Sequence, residues 1–310
     1  IHDMDFLTLT TTCCQIDIKR LFENGFSTGH GVLRSPNSIS VYAALACIAI
    51  QSNQNDQHGG QAIPNFDYGM APGVAKSYIK HFYPNLAKAI SLLENMDGEK
   101  IATTIKNKLV LKPTLDNNEE FNTAIKTELL NNNIKNIDKI IEFSNKTAYQ
   151  ETDKETYQAM EAFIHNLNTM HSRAGAQVPF SSINYGLDTS PEGRLVMKEL
   201  LYATEAGLGN GETPIFPIQI FRVKDGINYN PTDPNYDIFK LSCRVSAKRL
   251  FPNFSFIDAP FNLKYYRRGD YNSEVAYMGC RTRVMANVYD PTKEVTCGRG
   301  NLSFTSINLP

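Results

Sequence analysis

The chain has 310 residues, is 42% hydrophobic and sets 31 basic against 32 acidic side chains, for a formal net charge of −1. That length suits one large domain or two small ones, and so balanced a charge gives no reason to expect DNA, RNA or an anionic membrane as a partner. No apolar run is long enough to span a bilayer, since Ile39 to Ile50 is too short and contains Ser40 and Tyr42, and no signal peptide is present. Six cysteines (Cys13, Cys14, Cys47, Cys243, Cys280, Cys297) in a chain this long do not suggest a secreted disulfide scaffold. With no C-x-x-C pair, no zinc site is expected within the chain, and a reducing cytoplasm fits best. The chain begins at Ile1 and stops at Pro310 after an apolar run, which reads as a piece of a longer protein.

In chain order, Leu7 to Cys14 is rich in β-branched residues and predicts a strand. Neighbouring side chains on a strand point to opposite faces, so of Cys13 and Cys14 one faces a cavity and the other a packed layer. Ser35-Pro36-Asn37 introduces a helix from Ser38 to Asn53, with Cys47 in its core. The polar stretch Gln51 to Gly60 is either a frayed helix end with a turn, or a loop at a cavity mouth or subunit contact. Residues 76–170 are mainly helical. Within them Thr152 to Glu155 has the form of a capping box, followed by an apolar face of Tyr157, Met160, Ile164 and Leu167. Asn117 to Asn136 is expected to be exposed, and His165 to be a surface residue.

Gln177 to Leu187 predicts a strand carrying Ser181, Ser182 and Asn184, polar groups that a buried strand needs a reason to hold. Ser190-Pro191-Glu192 is a strong helix start, with the helix running to about Glu205 and ending at Gly207. Gly207, Gly209 and Gly211 follow a helix instead of opening one, so they are no dinucleotide fingerprint. A strand is expected from Ile215 to Val223, and a helix from Asp233 to before Pro252 with Cys243 in its core. Tyr277-Met278-Gly279-Cys280-Arg281-Thr282-Arg283 places one cysteine at a loop tip beside two arginines, where positive charge favours thiolate. A strand from Val284 to Tyr289, a turn at Gly298 to Asn301 and a last strand, Leu302 to Leu309, complete the chain. Strands alternating with long helices argue for α/β.

Several stretches together resemble the catalytic core of the anaerobic (class III) ribonucleoside-triphosphate reductases, which are glycyl radical enzymes. They are Thr11 to Asp17, Ser38-Ile39-Ser40, His171 to Gly175, Pro214 to Pro217, Asp233 to Asp237, Met278 to Arg281, Gly298 to Leu302 and Ser306 to Pro310. The resemblance implies a ten-stranded α/β barrel with a finger loop inside and helices outside. Residues 1–310 would form a single catalytic barrel domain with a helical outer segment at about 76–170. Cys280 matches the finger-loop cysteine that becomes a thiyl radical, and Arg281 the residue after it. Cys13 matches a second active-site thiol on an early strand, Asn301 an asparagine associated with formate, and His2 an early histidine of the site. Thr12 stands where some members carry asparagine. Backbone amides around Ser181, Ser182, Gly298 and Gly300 are candidate substrate-phosphate donors.

The function so implied is reduction of ribonucleoside triphosphates for DNA precursor synthesis, under allosteric control by nucleotide effectors such as ATP. The expected partners are an iron-sulfur S-adenosylmethionine activating enzyme and a second copy of the chain in a homodimer. The family's nucleotide-binding N-terminal cone and its C-terminal segment, which carries the glycyl radical and a zinc cluster, have no counterpart in the sequence. No metal or cofactor is therefore expected in this chain, formate is the expected reductant, and the chain alone is expected to be inactive. Two other readings stay open: a glycyl radical lyase acting on a small acid, and a nucleotide-binding module without turnover. The single loop cysteine favours the reductase over the lyases whose paired cysteines share the loop.

Overall fold

A computed structural model describes residues 13–57, 59–116, 118–173, 175–279, 282–285, 287, 289–290, 292–293 and 296–301. Strand β1 (Cys14–Gln15) leads into α1 (Ile18–Asn24), whose first turn is capped by the Asp17 carboxylate accepting from the Arg20 amide. A small antiparallel pair, β2 (Phe26–Ser27) and β3 (Val32–Leu33), precedes α2 (Ile39–Asp56) and β4 (Gln61–Ile63). Four helices then run in succession: α3 (Phe66–Glu94), α4 (Gly98–Lys108), α5 (Glu119–Asn131) and α6 (Ile137–Thr169). The chain returns through β5 (Ser181–Tyr185), α7 (Pro191–Ala206), β6 (Ile218–Val223), α8 (Tyr236–Arg249), β7 (Asn253–Phe256) and the short α9 (Pro260–Leu263). A 3₁₀ turn, Tyr271–Ser273, leads to the hairpin of β8 (Ala276–Met278) and β9 (Thr282–Val284).

The main sheet has five strands in the order β1-β4-β5-β6-β7, every neighbouring pair parallel. This is the α/β architecture the alternating pattern predicts. Among the described residues the sheet is open, and no ten-stranded barrel closes. One face packs on the helices: Ile183, Tyr185, Phe221 and Val223 join residues of α2, α3, α6, α7 and α8 in one core. A second apolar cluster lies among α3 to α6, with Phe82, Ile105, Phe121 and Ile140 buried in it. Helix α5 contributes Phe121, Ile125 and Leu129 to that cluster, so the Asn-rich stretch expected at the surface is amphipathic, with one buried side.

Three local expectations are corrected. Thr152 opens no helix. It lies inside α6, 0% exposed, and its hydroxyl donates to the Ala148 carbonyl 2.7 Å away, as Thr156 does to Thr152. A buried helical threonine satisfies itself on the preceding turn, so the same residue pattern serves a helix interior as well as a cap. Cys243 is exposed on α8 and is not core. The strand expected from Val284 to Tyr289 is instead β9, Thr282–Val284, because its pairing with β8 sets its extent. His165 is half-buried, its ring 3.5 Å from the Gly207 carbonyl. The start of α7 is as read, with Ser190 accepting from the Gly193 amide. The glycine-rich loop after α7 is clasped by Arg249, which donates to the carbonyls of Glu205, Ala206 and Gly211.

Candidate functional site

The sheet face away from the main core carries Ala62, Ser182, Asn184, Ile218 and Ile220, and the β8–β9 hairpin lies on it. Strand alternation puts Ser182 and Asn184 on that face of β5. The Asn184 side chain clasps the backbone of Tyr277 in both directions: its Nδ2 donates to the Tyr277 carbonyl at 3.0 Å, and its Oδ1 accepts from the Tyr277 amide at 2.8 Å. The Ser182 hydroxyl accepts from the Gly279 amide at 3.0 Å. These bonds are the reason a fully buried strand holds polar side chains. The backbone of Ser181 and Ser182 lies between β4 and β6 in the ladder, so β5 acts on this face through its side chains. The Ser181 hydroxyl is buried without a partner among the described residues.

Cys13 and Cys14 face opposite ways, as expected. Cys13 packs with Ala62 of β4 and with Met278 and Val284 of the hairpin. Its sulfur accepts from the Gly60 amide at 3.2 Å. Gly60 also lies close against the hairpin, since a Cβ on it would lie 3.1 Å from Gly279 Cα. Cys14 points to the helical side, where its thiol donates to Gln61 Oε1 at 3.0 Å and accepts from Asn53 Nδ2 at 2.8 Å. Burial pushes the Cys14 thiol up to about 12, against the lowering effect of the Asn53 amide, so it stays protonated. The polar end of α2 therefore ties that helix to β1 and β4. Gln54 extends the tie by accepting from the Phe180 amide.

The segment 298–301 runs antiparallel along the outer edge of β1. Gln15 donates to the Arg299 carbonyl at 2.7 Å, the Gly298 amide donates to the Gln15 carbonyl at 3.0 Å, and the Asn301 amide donates to the Cys13 carbonyl at 3.1 Å. Asn301 and Cys13 are thus brought together. The Gly298 amide is engaged by the Gln15 carbonyl. Gly300 bridges to Cys14. The side chain of Gln15, only 2% exposed, has no hydrogen-bond partner among the described residues. Cys280, Arg281 and His2 lie outside the described residues, as does the last expected strand. Among the described residues no group of three or more His, Cys, Asp or Glu could hold a metal ion, and no helix is long and apolar enough to cross a membrane.

The residues missed in the sequence are the charged ones behind the hairpin. Arg222 of β6 is 0% exposed, and its Nη1 lies 3.0 Å from Asn65 Oδ1 and 2.9 Å from Glu274 Oε2. Asp67 Oδ2 accepts from the amides of Gly186, Leu187 and Asp188 at 2.8, 3.2 and 3.2 Å. A charged residue inside an apolar strand, Arg222 in Ile218–Val223, was the available signal.

A parallel α/β sheet with a thiol on its edge strand, covered by a hairpin that leads to a second cysteine, defines a thiol-bearing α/β core. The family model described as anaerobic ribonucleoside-triphosphate reductase matches residues 1–310, and the chain belongs to that family. The anaerobic ribonucleoside-triphosphate reductase of Enterobacteria phage T4 is 28% identical over 313 residues, covering 100% of this chain and 42% of the relative. The enzyme of the same name from Escherichia coli (strain K12) is 29% identical over 312 residues, covering 100% of this chain and 36% of the relative. The chain thus spans well under half the length of these curated relatives. Among solved structures, the anaerobic ribonucleotide reductase from Thermotoga maritima in complex with dATP and CTP aligns at 12% identity with a TM-score of 0.46, over 84% of this chain and 35% of that one.

Proposed function

We propose that this chain is the thiol-bearing part of a single catalytic barrel domain that reduces ribonucleoside triphosphates to 2′-deoxyribonucleoside triphosphates in the anaerobic cytoplasm. One observation carries the reading: Cys13 lies under the hairpin that leads to Cys280, with Asn301 bonded to its backbone, in a chain matched to the reductase family along its whole length. In this reading the open parallel sheet is part of the ten-stranded barrel, with the hairpin as its finger loop.

Hydroxide leaves poorly from a saturated carbon, whereas a radical on the neighbouring carbon makes loss of the hydroxyl as water far easier. The oxidising equivalent for Cys280 is expected from a glycyl radical carried by the longer family members and generated by an iron-sulfur S-adenosylmethionine enzyme. The Cys280 sulfur takes the hydrogen atom from C3′ of the ribose. The 2′-hydroxyl takes a proton and departs as water. Reducing hydrogen arrives from Cys13, and formate, held near Asn301, makes up the electrons and leaves as carbon dioxide. Cys280 then returns the hydrogen atom to C3′. The net exchange is ribonucleotide, formate and a proton for deoxyribonucleotide, carbon dioxide and water. The protein's share is position and exclusion of water. Arg281 and His2 are proposed to line the site, Gln15 to meet a polar group of substrate or formate beside Cys13, and Gly300 to lie toward the phosphates. Zinc is assigned to the part of the family's length this chain does not span.

We also propose nucleotide effectors and a homodimer. A groove of about 950 Å³ between the start of α2, α3 and α4 is lined by Lys76, Lys80, Lys88 and Lys106 with Tyr83 at its wall. The four lysines set cationic side chains around one space, which suits an effector triphosphate.

The test is anaerobic turnover by the full-length protein with an intact glycyl radical. Cys280→Ala is expected to bind ribonucleoside triphosphate and make no deoxynucleotide. Product from that variant would overturn the assignment, as would full turnover without formate for the choice of reductant. Failure to bind nucleoside triphosphates would favour a lyase, and detectable turnover by residues 1–310 alone would overturn the expected inactivity of this chain.

A further inference from the structure

The buried charges behind the hairpin have no part in the chemistry proposed above. Asp67 is held by three backbone amides and by the Tyr68 amide, which makes it a staple between α3 and the turn after β5. Glu274 is different. It is 3% exposed, it sits two residues before β8, and it is held only by side chains of other elements. Its Oε1 accepts from the Tyr68 hydroxyl of α3 at 2.9 Å. Its Oε2 lies 2.9 Å from Arg222 Nη1 of β6 in charge contact, but without the alignment of a hydrogen bond. The Tyr68 ring also stacks on Tyr271, with ring centroids 5.0 Å apart. Tyr271 belongs to the 3₁₀ turn that precedes Glu274, so Tyr68 grips that limb twice.

A buried carboxylate is costly unless partners compensate it, and here both partners lie on elements far away in sequence. The chain between α9 and β8 otherwise consists of turns, which hold position weakly. Beyond Glu274 the hairpin is fixed from the sheet side by Ser182 and Asn184. At its entry Glu274 adds a polar anchor beside the apolar packing of Val275 on Leu187 and Ile257. We propose that Glu274, gripped by Arg222 and Tyr68, is a latch that fixes the entry to the β8–β9 hairpin and so acts as a positioning residue for the loop bearing Cys280. The anchoring stands independently of the reductase reading, whereas its effect on turnover rests on it.

Burial, outweighing the attraction of Arg222, raises the Glu274 carboxyl to about 7. The groups facing it are Arg222 from β6, Asp67 and Tyr68 from α3, Asp188 from the turn after β5, and Tyr266 from the segment before the hairpin. The cluster therefore has a second, protonated state near neutrality, in which Tyr68 can still donate to the carboxyl.

The test measures hydrogen exchange at the amides of Tyr277 and Gly279, in the chain at fixed pH, for Glu274→Ala, Glu274→Gln and Tyr68→Phe. Glu274→Ala removes both grips and is expected to speed exchange in the hairpin about tenfold, with β5 and β6 unchanged. Glu274→Gln keeps an acceptor for Tyr68 and is expected to restore part of the protection. Tyr68→Phe removes one hydroxyl and should give a smaller increase in the same segment. It also serves as the deciding variant if Glu274→Ala does not fold. In the full-length enzyme the same variants should lower kcat and leave KM for the triphosphate unchanged. Unchanged hairpin exchange in the folded variants overturns the latch. Altered exchange with unchanged kcat keeps the anchor and overturns its role in turnover. Absence of turnover in the unaltered full-length protein counts against the reductase reading and leaves the exchange result to decide the anchor.

Discussion

Asn184 holds Tyr277 by both backbone groups, in the way one strand holds the next, although β5 already has a strand on either side. A side-chain amide is the neutral group that can donate and accept at once across this distance. The hairpin is thereby attached to the central strand of the sheet. Replacing Asn184 by Ala leaves the Tyr277 amide and carbonyl without partners under the hairpin. It should cost on the order of 1–3 kcal/mol, read as a lowered denaturation midpoint. Asn184→Asp should be no rescue, because a carboxylate accepts from the amide but repels the carbonyl.

Gly60 sits between Cys13 and Gly279. A methyl group there would lie 3.1 Å from Gly279 Cα and 3.3 Å from the Phe180 ring, closer than packed carbons sit. Since Gly279 is backbone, the hairpin itself must shift. Gly60→Ala should therefore reduce turnover of the full-length enzyme by a larger factor than its effect on stability accounts for, measured as kcat beside the thermal midpoint.

The thiols should separate by reactivity. Cys243 is exposed and should be alkylated by iodoacetamide at pH 8 well before Cys14 and Cys47, although partial burial raises its pKa. Cys14 and Cys47 are both raised to about 12 by burial, so roughly one molecule in ten thousand carries either thiolate at that pH. Both should stay unmodified in peptide mapping until the chain is unfolded.

Stability should fall as pH rises from about 5 to 7. Burial raises Asp188 to about 6, and Glu199 and Glu274 to about 7. In that window the folded chain retains protons that the unfolded chain has already released. Raising the pH therefore favours unfolding, and the loss is complete above the folded pKa values. The carboxylates held below their ordinary range, among them Glu94 and Glu155, act in the opposite sense and only at more acid pH. The melting temperature should be higher at pH 5.5 than at pH 7.5, and Glu199→Gln should shrink the difference.

The lysine groove predicts salt-sensitive nucleotide binding away from the hairpin. Lys80→Ala combined with Lys88→Ala should weaken nucleoside triphosphate binding about tenfold or more at low salt and flatten its ionic-strength dependence, by equilibrium dialysis. Hairpin protection should not change, because neither lysine is near it in the fold.

Much of the architecture is local in origin and was legible. The Ser190-Pro191-Glu192 start of α7, the alternation that turns Cys13 and Cys14 to opposite faces, and the sequence of strands and helices all follow from nearest-neighbour chemistry. The motifs at Cys13, Cys280 and Asn301 were legible as a family resemblance, and the fold brings Cys13 and Asn301 together through one backbone hydrogen bond. Where local chemistry has two uses, the tertiary structure decided. Thr152 could cap a helix or satisfy itself inside one, and its packed position within α6 chose the second. The polar residues Ser182 and Asn184 were visible, but their hairpin partners lie more than ninety positions away. Arg222 and Glu274 carry no signal of their partnership at all, since a buried charge is tolerated only where distant elements meet to compensate it, and that meeting exists only once the sheet and α3 have assembled.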